Sequence, residues 1–245
     1  MRYFIRLSYN GIRYHGWQIQ KSGLTVEEIL EKCLSHLLGK SIDLIGGGRT
    51  DKGVHAKEFF AHLDSEKQLD KKLVIKLNAF LPKDIVVYGF YLVAPQAHAR
   101  HSANSRTYLY RISLSKKTFY TELSWQCKYE QLNIDLMNKA SELLQKYNNF
   151  SSFCKDNISN CYAKIKYAHW CYKGGKLLFE IKANRFLRNM VRSLIGTLLN
   201  IGKEKININQ FCEIVDAKDR QRSGPSVPAR GLFLKKICYP KAIFL

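Results

Sequence analysis

The sequence predicts an α+β fold with a mostly antiparallel sheet flanked by helices, and three observations carry that prediction. Period-two and helical-period stretches interleave along the chain, Lys173-Gly174-Gly175-Lys176 reads as a tight hairpin, and 46% of the 245 residues are hydrophobic. A chain of this length buries roughly 70–75% of its unfolded surface, enough for one large or two modest cores. Intrinsic disorder is a poor reading of such a composition.

In order, residues 3–9 alternate Tyr3, Ile5, Leu7 and Tyr9 with Phe4, Arg6 and Ser8, the pattern of a half-buried strand. Thr25-Val26-Glu27-Glu28 is a capping box, and apolar residues from Val26 to Leu38 follow at helical spacing until Gly39 stops them. Ile42–Ile45 predicts a short strand running into a glycine loop that ends at Gly53. Strands are expected at 58–63, 85–93 and 106–114, with a helix at 71–79. The second half predicts a helix at 133–147, strands at 163–172 and 177–184, helices at 185–201 and 208–217, and a last strand at 231–238. The polar stretch Ser102–Ser105 suggests a boundary, with an N-terminal domain over 1–104 and a C-terminal domain over 105–245.

Lys and Arg number 40 against 20 Asp and Glu, so the formal charge is +20 and a polyanionic partner is expected. The excess is clustered. Between Ile85 and Thr121 there is no acid, while Arg100, Arg106, Arg111, Lys116 and Lys117 fall inside. From Lys155 to Lys205, eleven bases face Asp156, Glu180 and Glu204. On the helix expected from Arg185, a step of about 100° per residue sets Arg185, Arg188 and Arg192 in one arc beside apolar Met190, Val191, Leu194, Ile195 and Leu198. Arg192 borders the buried arc and is expected to have an acidic partner, because an unpaired buried guanidinium is costly.

Other classes are set aside. The start, Met1–Tyr9, has charges inside its apolar run, unlike an export signal, and even the richest stretch, 186–201, is interrupted by Arg188, Asn189 and Arg192. Seven cysteines, none in a C-x-x-C pair, read as reduced and mostly buried core thiols rather than as a zinc site. A reducing cytoplasm is the expected compartment, with no membrane and no metal.

The segment Gly46-Gly47-Gly48-Arg49-Thr50-Asp51-Lys52-Gly53-Val54-His55-Ala56 is the sharpest local feature. It lacks the Gly-Lys-Ser/Thr ending of a phosphate loop and fits no dinucleotide fingerprint. It offers a carboxylate flanked by Arg49 and Lys52, and flanking cations favour the charged form that suits a nucleophile or base. Composition alone leaves Asp51 between that role and an Asx-turn or N-cap. Tyr108 reads by pattern as a core or cross-strand aromatic. His15 and His55, without ligand spacing, read as structural, and Trp17, Trp125 and Trp170 as core residues.

Gly48-Arg49-Thr50-Asp51-x-Gly53-Val54-His55-Ala56 resembles the active-site motif of the TruA family of tRNA pseudouridine synthases. Other matches stand in the family's order: Tyr9-Asn10-Gly11 with Tyr14-His15-Gly16-Trp17-Gln18, the segment Asn78–Ile85, and His98–Ala103 followed by Arg106-Thr107-Tyr108-Leu109-Tyr110. Asn149–Phe153, Ala183–Arg192 and Pro228–Leu234 complete a resemblance that runs from about residue 3 to residue 240. It departs at Lys52, where Ala is common, and at Ala97 and His101, where Phe is usual; these bear on substrate affinity rather than reaction type.

The resemblance implies the pseudouridine synthase fold, two similar domains around a basic cleft, and a cofactor-independent isomerase. Its substrate would be tRNA, not DNA, at anticodon stem-loop positions 38, 39 and 40, held by a homodimer. Asp51 would be the catalytic aspartate and Arg192 its partner. Tyr108 would stack on the target uracil, Arg49 would take the place of the displaced nucleotide, and Leu232 would form an apolar wall under the base. Two alternatives remain: a basic RNA-binding protein without chemistry, and the same chemistry at other tRNA or small-RNA positions.

Overall fold

A computed structural model describes residues 1–116, 118, 121–127, 131–155 and 160–245. Lys117 and Asp156, counted above among the clustered charges, lie outside the described residues. The chain divides into two compact units, unit 1 being Met1–Ser105 with Phe233–Leu245 and unit 2 being Arg106–Leu232.

In unit 1, β1 (Arg2–Tyr9) lies between β4 (Ile85–Val93) and β3 (His55–Asp64) and is antiparallel to both. The register against β3 runs from Arg2 opposite Asp64 to Leu7 opposite Phe59, then shifts so that Tyr9 faces Ala56. β2 (Ile45–Gly46) pairs antiparallel with β3. Ile42 and Leu44, expected in that strand, are buried in the loop before it, so their apolar character reports packing rather than a ladder. α1 (Val26–Leu38) starts where the capping box places it: the Thr25 side chain accepts the Glu28 N–H, and Gly39 closes the helix at φ +68°. α1 contacts α2 (Lys71–Phe80), and Phe4, Ile5, Leu7, Trp17, Leu30, Leu34, Phe59 and Leu77 form the core.

The sequence assigned residues 105–245 to one domain, but Phe233–Leu245 fold with unit 1. Backbone pairing is the reason. In β9 (Leu232–Cys238), Phe233 and Leu234 pair in parallel with His55 and Ala56. The Asn104 N–H donates to the Cys238 carbonyl at 2.8 Å, and the Leu245 N–H to the Leu92 carbonyl at 3.1 Å.

In unit 2, β8 (Lys176–Ala183) lies between β5 (Ser105–Ser113) and β7 (Ile165–Lys173), antiparallel to both, and β6 (Trp125–Gln126) pairs in parallel with β5. The hairpin signal is met, with Lys173 opposite Lys176 and both intervening glycines at positive φ. α3 (Ile134–Leu143) packs on β7 and continues as a 3-10 turn over Leu144–Lys146. α4 (Met190–Gly202) contacts α3 and α5 (Ile208–Asp216). Among the described residues the ladders are mostly antiparallel, with five α-helices beside them: the α+β class the sequence predicts.

Two further expectations fail. The helix foreseen from Arg185 begins only at Met190, because the Asn184 side chain accepts the Lys164 and Arg185 N–H groups and Asn189 adopts φ +65°. Arg185 and Arg188 therefore precede the helix, and no arginine row runs along it. The cysteines are not mostly buried. Only Cys154 and Cys161 are; Cys171 lies exposed on β7, and Cys33, Cys127, Cys212 and Cys238 are half-buried, all without disulfides. Among the described residues, no helix is long and apolar enough to cross a membrane.

Candidate active site

Unit 1 carries Arg49 and Asp51 on the loop between β2 and β3. The Val54 N–H donates to the Asp51 carbonyl at 3.1 Å, closing a four-residue turn whose third residue, Gly53, sits at φ +79°. That conformation favours glycine at this position of the turn. Asp51 thus opens a tight turn, half-buried, while Arg49 and Lys52 are exposed on either side. The loop is held at both ends. The Gly47 N–H donates to the Phe60 carbonyl at 2.6 Å, and Val54, His55 and Ala56 are buried as β3 begins.

Near the loop lies a buried carboxylate that the sequence reading did not single out. Glu27, the second residue of α1, accepts the Trp17 Nε1–H at 2.8 Å and the Ile19 N–H at 2.9 Å. Burial pushes its pKa above the ordinary carboxylate range; the Ile19 and Trp17 donors and the charge of Arg49 act against that shift. The departures from the resembled family also find places. Ala97 is buried and its carbonyl accepts from Arg2 Nη1 at 3.1 Å, while the His101 ring lies 4.4 Å from that of His98.

Unit 2 carries Tyr108, Arg192 and Leu232. Tyr108 faces Ile181 across the β5–β8 ladder, and its buried ring meets Phe186 edge-on at 5.0 Å. Its role by pattern alone, a cross-strand aromatic, is compatible with that placement. Arg192 is the third residue of α4 and half-buried; its Nε donates to the Val227 carbonyl at 2.7 Å, and the Val227 N–H returns a bond to the Arg192 carbonyl at 3.2 Å. The stretch 223–228 is clamped to α4. A Cβ on Gly196 would come within 1.8 Å of the Pro225 carbonyl oxygen, and Thr197 Oγ1 accepts the Gly224 N–H at 2.8 Å. Ser193 Oγ and Ser223 Oγ are 3.0 Å apart, and Asn189 donates to Ser226 Oγ. Beyond it, the Tyr110 hydroxyl donates to the Pro228 carbonyl at 2.7 Å, setting the turn that delivers buried Leu232.

This chain is 47% identical to the tRNA pseudouridine synthase A of Azobacteroides pseudotrichonymphae genomovar. CFP2, over 99% of this chain and 98% of that protein. The chain belongs to the tRNA pseudouridine synthase family. The proteins of the same name from Parabacteroides distasonis and Clostridium acetobutylicum are 43% and 36% identical, covering 99% and 96% of this chain and 98% of each relative. A family model described as tRNA pseudouridine synthase matches residues 143–240, which span α4, the clamped 223–228 stretch and β9. For a member of the tRNA pseudouridine synthase family, the sequence singled out Asp51 in unit 1 and Arg192 in unit 2 but not the backbone contacts that hold each of them within its own unit. Gly196, Thr197 and Gly224 carry the signal of a close backbone crossing only once the helix is known to start at Met190.

Proposed function

We propose that this chain isomerises uridine to pseudouridine in tRNA, at anticodon stem-loop positions 38, 39 and 40, with Asp51 as the catalytic carboxylate. The observation that carries the reading is the Gly48–Ala56 loop: the residues that resemble the family's motif fold as a tight turn opened by Asp51, with Arg49 turned outward. In this isomerisation the N1–C1′ bond of uridine breaks, the ring turns and a C5–C1′ bond forms, while C5 loses a proton and N1 gains one. Atoms and electrons balance without a co-reactant, so the reading assigns no cofactor.

In this reading Asp51 acts on the ribose or the uracil while the base is detached, and Arg192 pairs with it. The Val227 carbonyl supports that role by fixing the Nε edge, and so the plane, of the Arg192 guanidinium. Tyr108 stacks on the extruded uracil, Leu232 forms the wall beneath it, and the exposed Arg49 takes the place of the displaced nucleotide. Extrusion costs a few kcal/mol of stacking, least in a loop, which favours an anticodon loop substrate. A formal charge of +20 supplies phosphate contacts along a basic cleft, and a homodimer in the cytoplasm holds one tRNA.

The test maps pseudouridine in tRNA from cells with the chain, without it, and with Asp51→Asn. The expected result is loss at positions 38–40 on deletion, no restoration by the variant, and wild-type tRNA affinity for the purified variant. Restoration by Asp51→Asn would support a binding protein without chemistry, and unchanged positions 38–40 with losses elsewhere would move the substrate. Binding should also weaken with salt by about 0.7–0.9 log units per phosphate contact for each decade. A flat response overturns the basic surface.

A further inference from the structure

His55 read in the sequence as a structural residue, and Tyr9 as one more apolar position of β1. In the structure both bear on the Asp51 turn, through the segment that follows β1. The Asn10 side chain accepts the Ile12 N–H and starts a 3-10 turn over Gly11–Arg13. That turn lies hard against the loop. A Cβ on Gly11 would come within 1.8 Å of the Val54 carbonyl oxygen, and one on Gly16, at φ +90°, within 2.1 Å of the Thr50 carbonyl oxygen. The Gly53 N–H donates to the Tyr14 carbonyl at 3.2 Å. The carbonyls of Thr50, just before the turn Asp51 opens, and of Val54, its last residue, thus meet glycines that no larger residue could replace without moving the loop.

Two side chains lock this contact. The Gly11 N–H donates to His55 Nδ1 at 3.1 Å, and His55 is 1% exposed, with its ring stacked 4.6 Å from Phe233. With Nδ1 accepting, a neutral ring keeps its proton on Nε2. On the other side the Tyr9 hydroxyl meets Thr50 Oγ1 at 2.9 Å, one residue before Asp51. Both groups act at the edges of the Asp51 turn. Each fixes a residue that touches it: His55 fixes Gly11, and Tyr9 fixes Thr50.

We propose that Tyr9 and His55 are positioning residues that set the carboxylate of Asp51 by clamping its turn between the Gly11–Gly16 segment and the start of β3. The inference rests on Asp51 being the catalytic carboxylate. A displacement near 1 Å at a reacting group costs on the order of a hundredfold in rate, so such a clamp is read in turnover and not in RNA binding.

The experiment measures single-turnover pseudouridine formation and tRNA affinity for purified full-length Tyr9→Phe, His55→Leu, His55→Asn and Asp51→Asn. Tyr9→Phe removes one hydroxyl and is expected to lower the rate about tenfold with unchanged affinity. His55→Leu removes the acceptor for Gly11 and is expected to lower it about a hundredfold. His55→Asn puts an amide oxygen where Nδ1 stood and is expected to recover most of that loss, which a purely space-filling role for the imidazole would not give. Should His55→Leu fail to fold, Tyr9→Phe and His55→Asn carry the test. If Tyr9→Phe keeps the wild-type rate while Asp51→Asn is inactive, the positioning role is overturned and that of Asp51 stands. An active Asp51→Asn overturns both.

Discussion

Four backbone N–H groups of unit 1 and two of unit 2 are held by different chemistry. Unit 1 uses titratable side chains at its buried points: His55 accepts the Gly11 N–H, His62 the Ala99 N–H at 3.2 Å, Glu27 the Ile19 N–H, and Glu31 the Leu44 N–H at 2.7 Å. Unit 2 uses a hydroxyl and an amide at the matching points: Thr197 accepts from Gly224 and Asn138 from Trp170 at 2.8 Å. Both sets satisfy donors that folding takes wholly or partly out of water. Of these acceptors only the first set changes its capacity with pH, so these points of the unit that carries the Asp51 turn respond to acid.

Substitutions that ignore this chemistry should cost both units alike. Gly196→Ala in unit 2 and Gly11→Ala in unit 1 each force a Cβ to 1.8 Å from a carbonyl oxygen, and each is expected to cost about 3 kcal/mol in urea unfolding. A loss below about 1 kcal/mol for either would mean that backbone crossing is loose.

Acid should separate the units. His62 is pushed down to about 4 from an ordinary 6.5, chiefly by burial and then by the charges of Arg2 and His98. Below pH 6.5 the unfolded chain binds a proton that the folded His62 refuses, so stability falls as pH drops from 6.5 towards 4. That loss is expected to be about 2 kcal/mol. Glu27 and Glu31, raised by burial, run the other way: their contribution is present below the ordinary carboxylate range and fades as pH rises through the folded value. His62→Asn keeps an acceptor for Ala99 without a titrating ring, so the wild type should lose about 2 kcal/mol more than this variant between pH 7 and pH 4.5. Parallel pH profiles would remove the contrast.

Thr197→Val strands the buried Gly224 N–H and is expected to cost about 1–2 kcal/mol, equally at pH 7 and pH 5. The smallest effects serve as controls in both units. Thr25→Ala at the start of α1 and Asn207→Ala at the start of α5, where a full capping box forms, should each cost about 1 kcal/mol by thermal unfolding.

Much of the fold was legible because periodicity and capping are local. Alternation in residues 3–9 and the Thr25 cap placed β1 and α1 to within a residue. The start of α4 was not legible: the pattern from Arg185 is helical in period, but Asn184 and Asn189 satisfy and turn the backbone in ways that no apolar spacing encodes. The return of Phe233–Leu245 to unit 1 was hidden for a different reason, since a parallel pairing with His55 and Ala56 leaves no mark in either strand alone. At the candidate site the carboxylate stood out by its glycines and cations. Its supports did not, although a histidine opening a buried strand, as His55 does, already demands a hydrogen-bond partner.

The passage of β9 back beside β3 also gives the molecule a schedule. Unit 2 is made in the interval between the strand that starts at His55 and the one that pairs with it. During synthesis the ring of His55 therefore waits, without Phe233 against it, until more than 170 later residues have left the ribosome. Contacts of that separation form late because the intervening chain must first be ordered. His55, the first residue after the Asp51 turn, gains its aromatic neighbour after almost all of the rest has been translated, so a chain interrupted before Phe233 would carry the motif without that contact.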